Sequence, residues 1–234
     1  MAEPLSLPAV VVVTGTGTGV GKTVATAALA AILRARGTDV VVVKVAQTGV
    51  APGDAGDIED VCRLAGPVPT HEFVRLPDPL APDTAARRAG VALPTIGEHA
   101  RSLRDLAATV DVVLVEGAGG LLVRLDERGA TLADLGVALR YLGTSCGVVL
   151  VASAGLGTLN TAALTAEALR HRQLPLLGVV IGSWPDQPDL ASRCNLADLP
   201  EVTRAPLWGR IPHGAGSLTT SEFTDAAAGW IDLG

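Results

Sequence analysis

A chain of 234 residues with 48% hydrophobic side chains can enclose one large α/β core, and its length predicts a single domain over residues 1–234. The net charge of −6, the pI near 5.2 and the 3% aromatic content argue against a nucleic-acid partner and leave small molecules as the expected ones. Mean hydropathy is +0.40, yet apolar runs such as Val10–Val13, Val112–Val115 and Val148–Ala152 are strand-length and none approaches about 18 residues, so no membrane partner is expected.

The first element is Ala9-Val-Val-Val-Val-Thr-Gly-Thr-Gly-Thr-Gly-Val-Gly-Lys-Thr23, which reads as strand, phosphate loop and helix start. β-Branched Val10 to Val13 suit a strand buried on both faces, and the alanines from Ala25 to Ala31 favour helix. Glycines at 15, 17, 19 and 21 let backbone N–H groups converge on an anion at the positive end of the helix that opens near Lys22. Lys22 would reach the β- and γ-phosphates and the Thr23 hydroxyl would ligate Mg²⁺. The pattern G-x-x-x-x-G-K-[ST] is not met, because five residues rather than four separate Gly15 from Gly21.

That helix is expected to reach about Arg36, with Gly37 closing it. A second buried strand, Asp39 to Lys44, is followed by a loop through Gly56 and a helix from Asp57 to Ala65. Pro67 to Pro82 reads as an irregular excursion with one short strand near Phe73–Arg75, then a short helix near Thr84–Ala89. Thr95 and Glu98 have capping-box spacing for a helix reaching about Thr109. Val112–Glu116 reads as a strand, Gly117–Gly120 as a turn, Thr131–Leu142 as a helix, Gly147–Ala152 as a strand and Thr158–Arg170 as a helix. Strands at Leu176–Ile181 and Pro206–Ile211 and a helix at Ser221–Trp230 complete the series. The alternation specifies a mostly parallel sheet with helices on both faces, and ligands in such sheets sit outside the carboxyl ends of the strands.

No basic region precedes an apolar segment at the N-terminus, so no signal peptide is read and a cytoplasmic location is expected. Cys62, Cys146 and Cys194 are isolated and read as buried thiols of a reducing compartment. His71, His99, His171 and His213 read as surface or loop residues, without a metal cluster.

Several groups on that rim could carry chemistry. Glu116 ends an apolar strand, where a phosphate-loop enzyme keeps an acidic group for Mg²⁺. Asp57 and Asp54 compete for a further magnesium role, and either would serve equally as a helix cap. Lys44, also at a strand end, is either simply solvated or a second cation at the transferred phosphoryl, with Thr48 bonding the acceptor. Ser153 to Asn160 is either a second anion cradle or an ordinary turn.

Four separated stretches then resemble one family. Gly15-Thr-Gly-Thr-Gly-Val-Gly-Lys-Thr23 is similar to the G-T-x-T-x-V-G-K-T loop of the dethiobiotin synthetases, which share the five-residue spacing. Lys44-Val-Ala-Gln-Thr-Gly49 resembles K-P-x-x-[ST]-G, Val115-Glu-Gly-Ala-Gly-Gly120 resembles V-E-G-A-G-G, and Gly155-Leu-Gly-Thr-Leu-Asn160 resembles G-x-G-x-x-N; Pro79-Leu-Ala-Pro82 also fits.

The resemblance implies a P-loop fold and an ATP- and Mg²⁺-dependent cyclo-ligase that closes 7,8-diaminononanoate with CO₂ in biotin biosynthesis. It implies Lys44 and Lys22 as catalytic lysines and Thr23, Asp57 and Glu116 as metal ligands. Thr18 and Thr48 would lie at the carbamate, and Leu159 and Asn160 at the carboxylate tail across a homodimer interface. The nucleotide would be held by Gly19, Val20, Gly21, Lys22, Thr23, Val24, Glu116, Gly117, Ala118 and Gly119, with Gly182, Ser183, Pro212, His213 and Gly214 at its base end. Val45 replaces the family's proline, and Gly182-Ser-Trp184 stands where many members have an adenine-reading asparagine, so ATP and other nucleoside triphosphates both stay open. Asp57 is preferred to Asp54 because Asp-Ile-Glu-Asp-Val opens the helix. A partitioning-type switch ATPase is the alternative, but its loop would carry a lysine where Gly17 stands.

Overall fold

The computed structural model describes residues 7–234. β1 (Val10–Gly15) leads into α1 (Lys22–Ala35), β2 (Val40–Lys44), a two-residue β3 (Gln47–Thr48) and α2 (Asp57–Ala65). There follow β4 (Thr70–Glu72), β5 (Arg75–Leu76), α3 (Pro82–Ala89), α4 (Ile96–Ala107), β6 (Val112–Gly120) and α5 (Leu132–Tyr141). The remainder is β7 (Cys146–Ala152), α6 (Thr158–His171), β8 (Leu176–Trp184), α7 (Leu190–Thr203), β9 (Leu207–Pro212) and α8 (Thr220–Trp230).

Seven strands form one parallel sheet in the order β4-β2-β6-β1-β7-β8-β9, which puts β1 and the loop after it at the centre. The continuous valine runs are explained by this burial: successive side chains alternate between two cores. Val11, Val13, Val40, Val42, Val112 and Leu114 pack on α1, α2 and α8, while Val10, Val12, Val41, Val43, Val113 and Val115 pack on α4 and α5. A third cluster joins β7 and β8 to α6 and α7 through Leu150, Val179, Ile181, Ala162 and Leu199.

Local signals hold where the chemistry is explicit. Gly37 takes φ +80° just past Arg36, the C-cap of α1, and Thr95 and Glu98 cap α4 reciprocally. Several expectations are corrected. Gly117–Gly120 is not a turn but the continuation of β6, because β1 goes on pairing with it as far as Gly15 and Gly120. The loop after Lys44 contains β3, which pairs with β5 in a small sheet of its own, and the single strand expected near Phe73–Arg75 is split into β4 and β5. α3 begins at Pro82, a residue suited to a first helical turn. α7 is absent from the sequence reading: its inward positions, Ser192, Asn195, Leu199 and Thr203, have helical spacing but are mostly polar, and Pro200 interrupts the pattern. His99 is buried, not at the surface, stacked on Phe73 at 5.5 Å. Of the cysteines only Cys146 is buried, and Cys194 is exposed.

Candidate functional site

Register, not loop geometry, creates the centre of the site. Lys44 and Glu116 are paired positions on neighbouring parallel strands, two residues beyond Val42 and Leu114, so both side chains emerge on the α1–α2 face. The first turns of α1 and α2 converge on the same point and deliver Thr23 and Asp57. Lys44 Nζ donates to Asp57 Oδ2 at 2.5 Å, to Glu116 Oε1 at 2.8 Å and to the Gly117 carbonyl at 3.1 Å. Thr23 Oγ1 donates to the same Glu116 Oε1 at 3.0 Å. Lys22 Nζ folds back on the Gly17 carbonyl at 2.9 Å, closing the glycine loop on itself.

Burial sets the electrostatics. It pushes the Glu116 carboxyl up, against the pull of Lys44. Burial acts against charge on Lys44 too, but the two carboxylates outweigh it and hold the ammonium above the ordinary lysine value. Asp57 is held below the usual carboxylate range because Lys44 outweighs its desolvation. The Lys22 ammonium is pushed down by burial and by Lys44, with Glu116 and Asp57 opposing. The cluster is therefore a lysine whose charge is favoured, an aspartate whose ionised form is favoured and a buried glutamate that is the more readily protonated of the two carboxylates.

A cavity of about 750 Å³ opens over this cluster. Thr18, Gly19, Gly21, Lys22, Thr23, Val24, Lys44, Thr48, Asp57, Glu116, Ala118 and Gly119 line it, so most residues singled out in the sequence come together. Pro79–Pro82 close one side, and Ala46, Gln47 and Val123, unremarked in the sequence, complete it. Gln47 could have been noticed as a polar residue between two apolar positions and Thr48, inside a segment bounded by Lys44 and Gly49.

Other candidates lie apart. Gly182 does not line the cavity, yet it abuts the phosphate loop so closely that a Cβ on it would lie 2.1 Å from the Val20 carbonyl oxygen. Ser183 Oγ and His213 Nδ1 are 3.1 Å apart on the neighbouring rim, and the His213 N–H donates to the Trp184 carbonyl. Pro212 lines a smaller hollow with Trp184 and Arg210. Leu159 and Asn160, at the start of α6, do not line the cavity of this chain, and Asn160 is exposed. Asp54, the competitor of Asp57, offers Arg75 its backbone carbonyl at 2.5 Å.

The donor set suits a hard divalent cation. Thr23, Asp57 and Glu116 present only oxygen, the ligand type Mg²⁺ takes from proteins alongside water and phosphate. Among the described residues no group of three or more His, Cys, Asp or Glu side chains could hold a metal by itself, so an ion here would depend on further oxygens from a nucleotide.

The model of a family described as an AAA domain matches residues 9–218. The chain is 58% identical to the ATP-dependent dethiobiotin synthetase BioD of Streptomyces coelicolor, over 95% of this chain and 91% of that protein. It is 59% identical to the protein of the same name from Saccharopolyspora erythraea, over 89% of each. Among solved structures, chloroplast FtsY from Physcomitrella patens superposes with a TM-score of 0.55 at 20% identity, over 95% of this chain and 66% of that one. The MinC:MinD complex of Aquifex aeolicus gives 0.53 at 16% identity, over 93% and 86%. These two likenesses concern the fold, that of P-loop nucleotide-binding proteins.

Proposed function

The chain belongs to the dethiobiotin synthetase family, and from that premise we propose how its residues divide the reaction. The activity is an ATP-dependent cyclo-ligation of small molecules. CO₂ adds to one amine of 7,8-diaminononanoate and that amine loses a proton, giving a carbamate. A carbamate oxygen then attacks the γ-phosphorus of ATP and ADP leaves. The second amine attacks the carbonyl carbon of the resulting carbamic-phosphoric anhydride, phosphate leaves, and the ureido ring closes.

Phosphoryl transfer of this kind is catalysed mainly by positioning and by cations at the transferred group. Lys22 holds the β- and γ-phosphates from the loop side, and Lys44 meets the carbamate and the γ-phosphate from the strand side. Thr18 and Thr48, both lining the cavity, orient the carbamate. The loop from Gly19 to Val24 takes the phosphates on backbone N–H groups, with Glu116–Gly119 beside it, and the base end lies against Gly182, Ser183, Pro212, His213 and Gly214. Mg²⁺, held by Thr23, Asp57 and Glu116, would supply further charge neutralisation at the phosphates. Lys44 aligns both carboxylates through its two ion pairs and favours their ionised forms against burial.

The diamine's carboxylate tail is assigned to Leu159 and Asn160 of a second copy in a homodimer. Leu156, Asn160 and Leu164 recur every four residues around the start of α6, and the two leucines are 94% and 59% exposed, which suits an interface. Residues 1–234 are read as one domain. A cytoplasmic location is proposed, in keeping with three free thiols; no helix of the described residues is long and apolar enough to cross a membrane.

The observation that carries the residue assignment is the meeting of Lys44, Asp57, Glu116 and Thr23 at one point beside the phosphate loop. The test is phosphate release with ATP, Mg²⁺ and bicarbonate, with and without the diamine, and detection of the cyclic urea by mass. Diamine-dependent phosphate together with the urea is expected. Phosphate release indifferent to the diamine, with no urea, would return the chain to the switch-ATPase reading.

A further inference from the structure

Asp57 is the first residue of α2, and the residue before it, Gly56, has no side chain with which to cap the helix. The cap comes from another element. Gln47, buried on β3, accepts the Asp57 N–H on its Oε1 at 2.9 Å and donates its Nε2 to the Thr48 carbonyl at 3.3 Å. Glycine at 56 makes room for this contact, because a Cβ there would lie 2.9 Å from Gln47 Oε1 and 3.3 Å from Arg75 Nη2.

Arg75 completes the support. Its guanidinium forms two parallel bonds to Glu72, at 2.6 and 2.9 Å, and donates to the Asp54 carbonyl, so the loop that returns to Asp57 is tied to β5. The Gly56 N–H in turn donates to Glu59 at 2.7 Å. The Asp57 N–H and the Asp54 carbonyl are thus held by β3 and β5 while Glu59 of α2 itself holds the Gly56 N–H, and the Asp57 carboxylate points to Lys44.

We propose that Gln47 is a positioning residue for Asp57, capping α2 from β3 so that the aspartate is presented to the divalent cation and to Lys44. The inference rests on the reading of Asp57 as a metal ligand given above. Gln47 lies three residues beyond Lys44 and next to Thr48, so the short stretch from the end of β2 through β3 carries the catalytic lysine, the cap and the carbamate-binding hydroxyl in succession. Supports of metal ligands contribute about 10- to 100-fold to metal affinity, and Gln47 should fall at the lower end because it acts through a backbone N–H.

The test uses the full-length chain and reads the Mg²⁺ dependence of ATP binding by calorimetry without diamine, alongside steady-state constants. Gln47→Met keeps the volume and deletes the acceptor; Gly56→Ala keeps Gln47 and displaces its oxygen. Each should raise the Mg²⁺ concentration for half-maximal ATP binding about tenfold and leave KM for the diamine within about twofold. Gln47→Glu retains the acceptor and should stay within about threefold of the parent. Asp57→Asn is the reference. If it shows the parent's Mg²⁺ dependence, the metal-ligand reading fails and this inference falls with it. If Asp57→Asn is impaired while Gln47→Met and Gly56→Ala behave as the parent, only the role of Gln47 is overturned. Equal losses in Mg²⁺ dependence and in KM for the diamine, or a Gln47→Glu protein no better than Gln47→Met, would also overturn it by reducing Gln47 to general support.

Discussion

Lys44 and Glu116 face each other across β2 and β6 and form a 2.8 Å ion pair with side chains only 4% and 2% exposed. A buried pair of this kind is costly to break from one side, because the abandoned charge has no solvent to turn to. Lys44→Gln should therefore lose about 3–5 kcal/mol of stability in urea unfolding. Its turnover should fall on the order of 10²- to 10³-fold. The double substitution Lys44→Met with Glu116→Leu should regain most of the stability and none of the activity. Asp57, the lysine's other partner, is 31% exposed and can be hydrated when the lysine is gone. Parental turnover in Lys44→Gln would remove the residue from the chemistry.

Thr23 separates a structural hydroxyl from a ligand. Its bond to Glu116 at 3.0 Å is a single hydrogen bond to a carboxylate, so Thr23→Val should cost only about 1.5–3 kcal/mol of stability. If the hydroxyl also ligates Mg²⁺, the ion concentration for half-maximal activity should rise at least about tenfold, a change larger than the stability loss explains. An unchanged Mg²⁺ requirement would leave Thr23 as a support for Glu116 alone.

Much of this centre was legible because strand ends and glycine loops follow from local chemistry. Lys22, Thr23, Lys44 and Glu116 each close or open a well-marked apolar run, and the parallel sheet brings such ends to one rim. The choice between Asp54 and Asp57 was not legible without the family resemblance, since it depends on how Arg75, 18 residues after Asp57, folds the loop back. Gln47 was invisible for the same reason: its partner is a backbone N–H on another element. α7 was missed because its buried face is polar. Asn195 spends its amide on the Ala154 and Gly155 carbonyls at 2.7 and 3.1 Å, and Thr203 bonds the Leu199 carbonyl, contacts that hydrophobic periodicity does not register.

Gly182 should prove intolerant of any side chain. Its approach to Val20 and to Gly21, which itself has φ +93°, locks the end of β8 against the phosphate loop. Gly182→Ala must push that loop outward, and a forced shift of this size costs about 1–3 kcal/mol. The affinity for ATP should drop about tenfold or more, while the half-buried Gly155→Ala, with open space around its Cβ position, serves as the comparison. Equal ATP affinity in both would mean that the loop adapts without consequence for the phosphates.

His99 should make stability depend on pH below neutrality. Burial holds its imidazole below the ordinary histidine value, although Asp126 and Glu98 pull the other way. The unfolded chain takes up this proton near about pH 6.5, while the folded chain resists it until a lower pH. Between those two values the unfolded state binds more protons, so stability is complete above the unfolded pKa and declines as the pH falls towards the folded one. His99→Phe keeps an aromatic ring against Phe73 and cannot be protonated. The parent should lose more stability than His99→Phe when unfolding is compared at about pH 7.5 and about pH 5.5. Equal losses in the two proteins would show that the buried imidazole is readily protonated within the fold, its charge stabilised by the neighbouring carboxylates or by water reaching the ring.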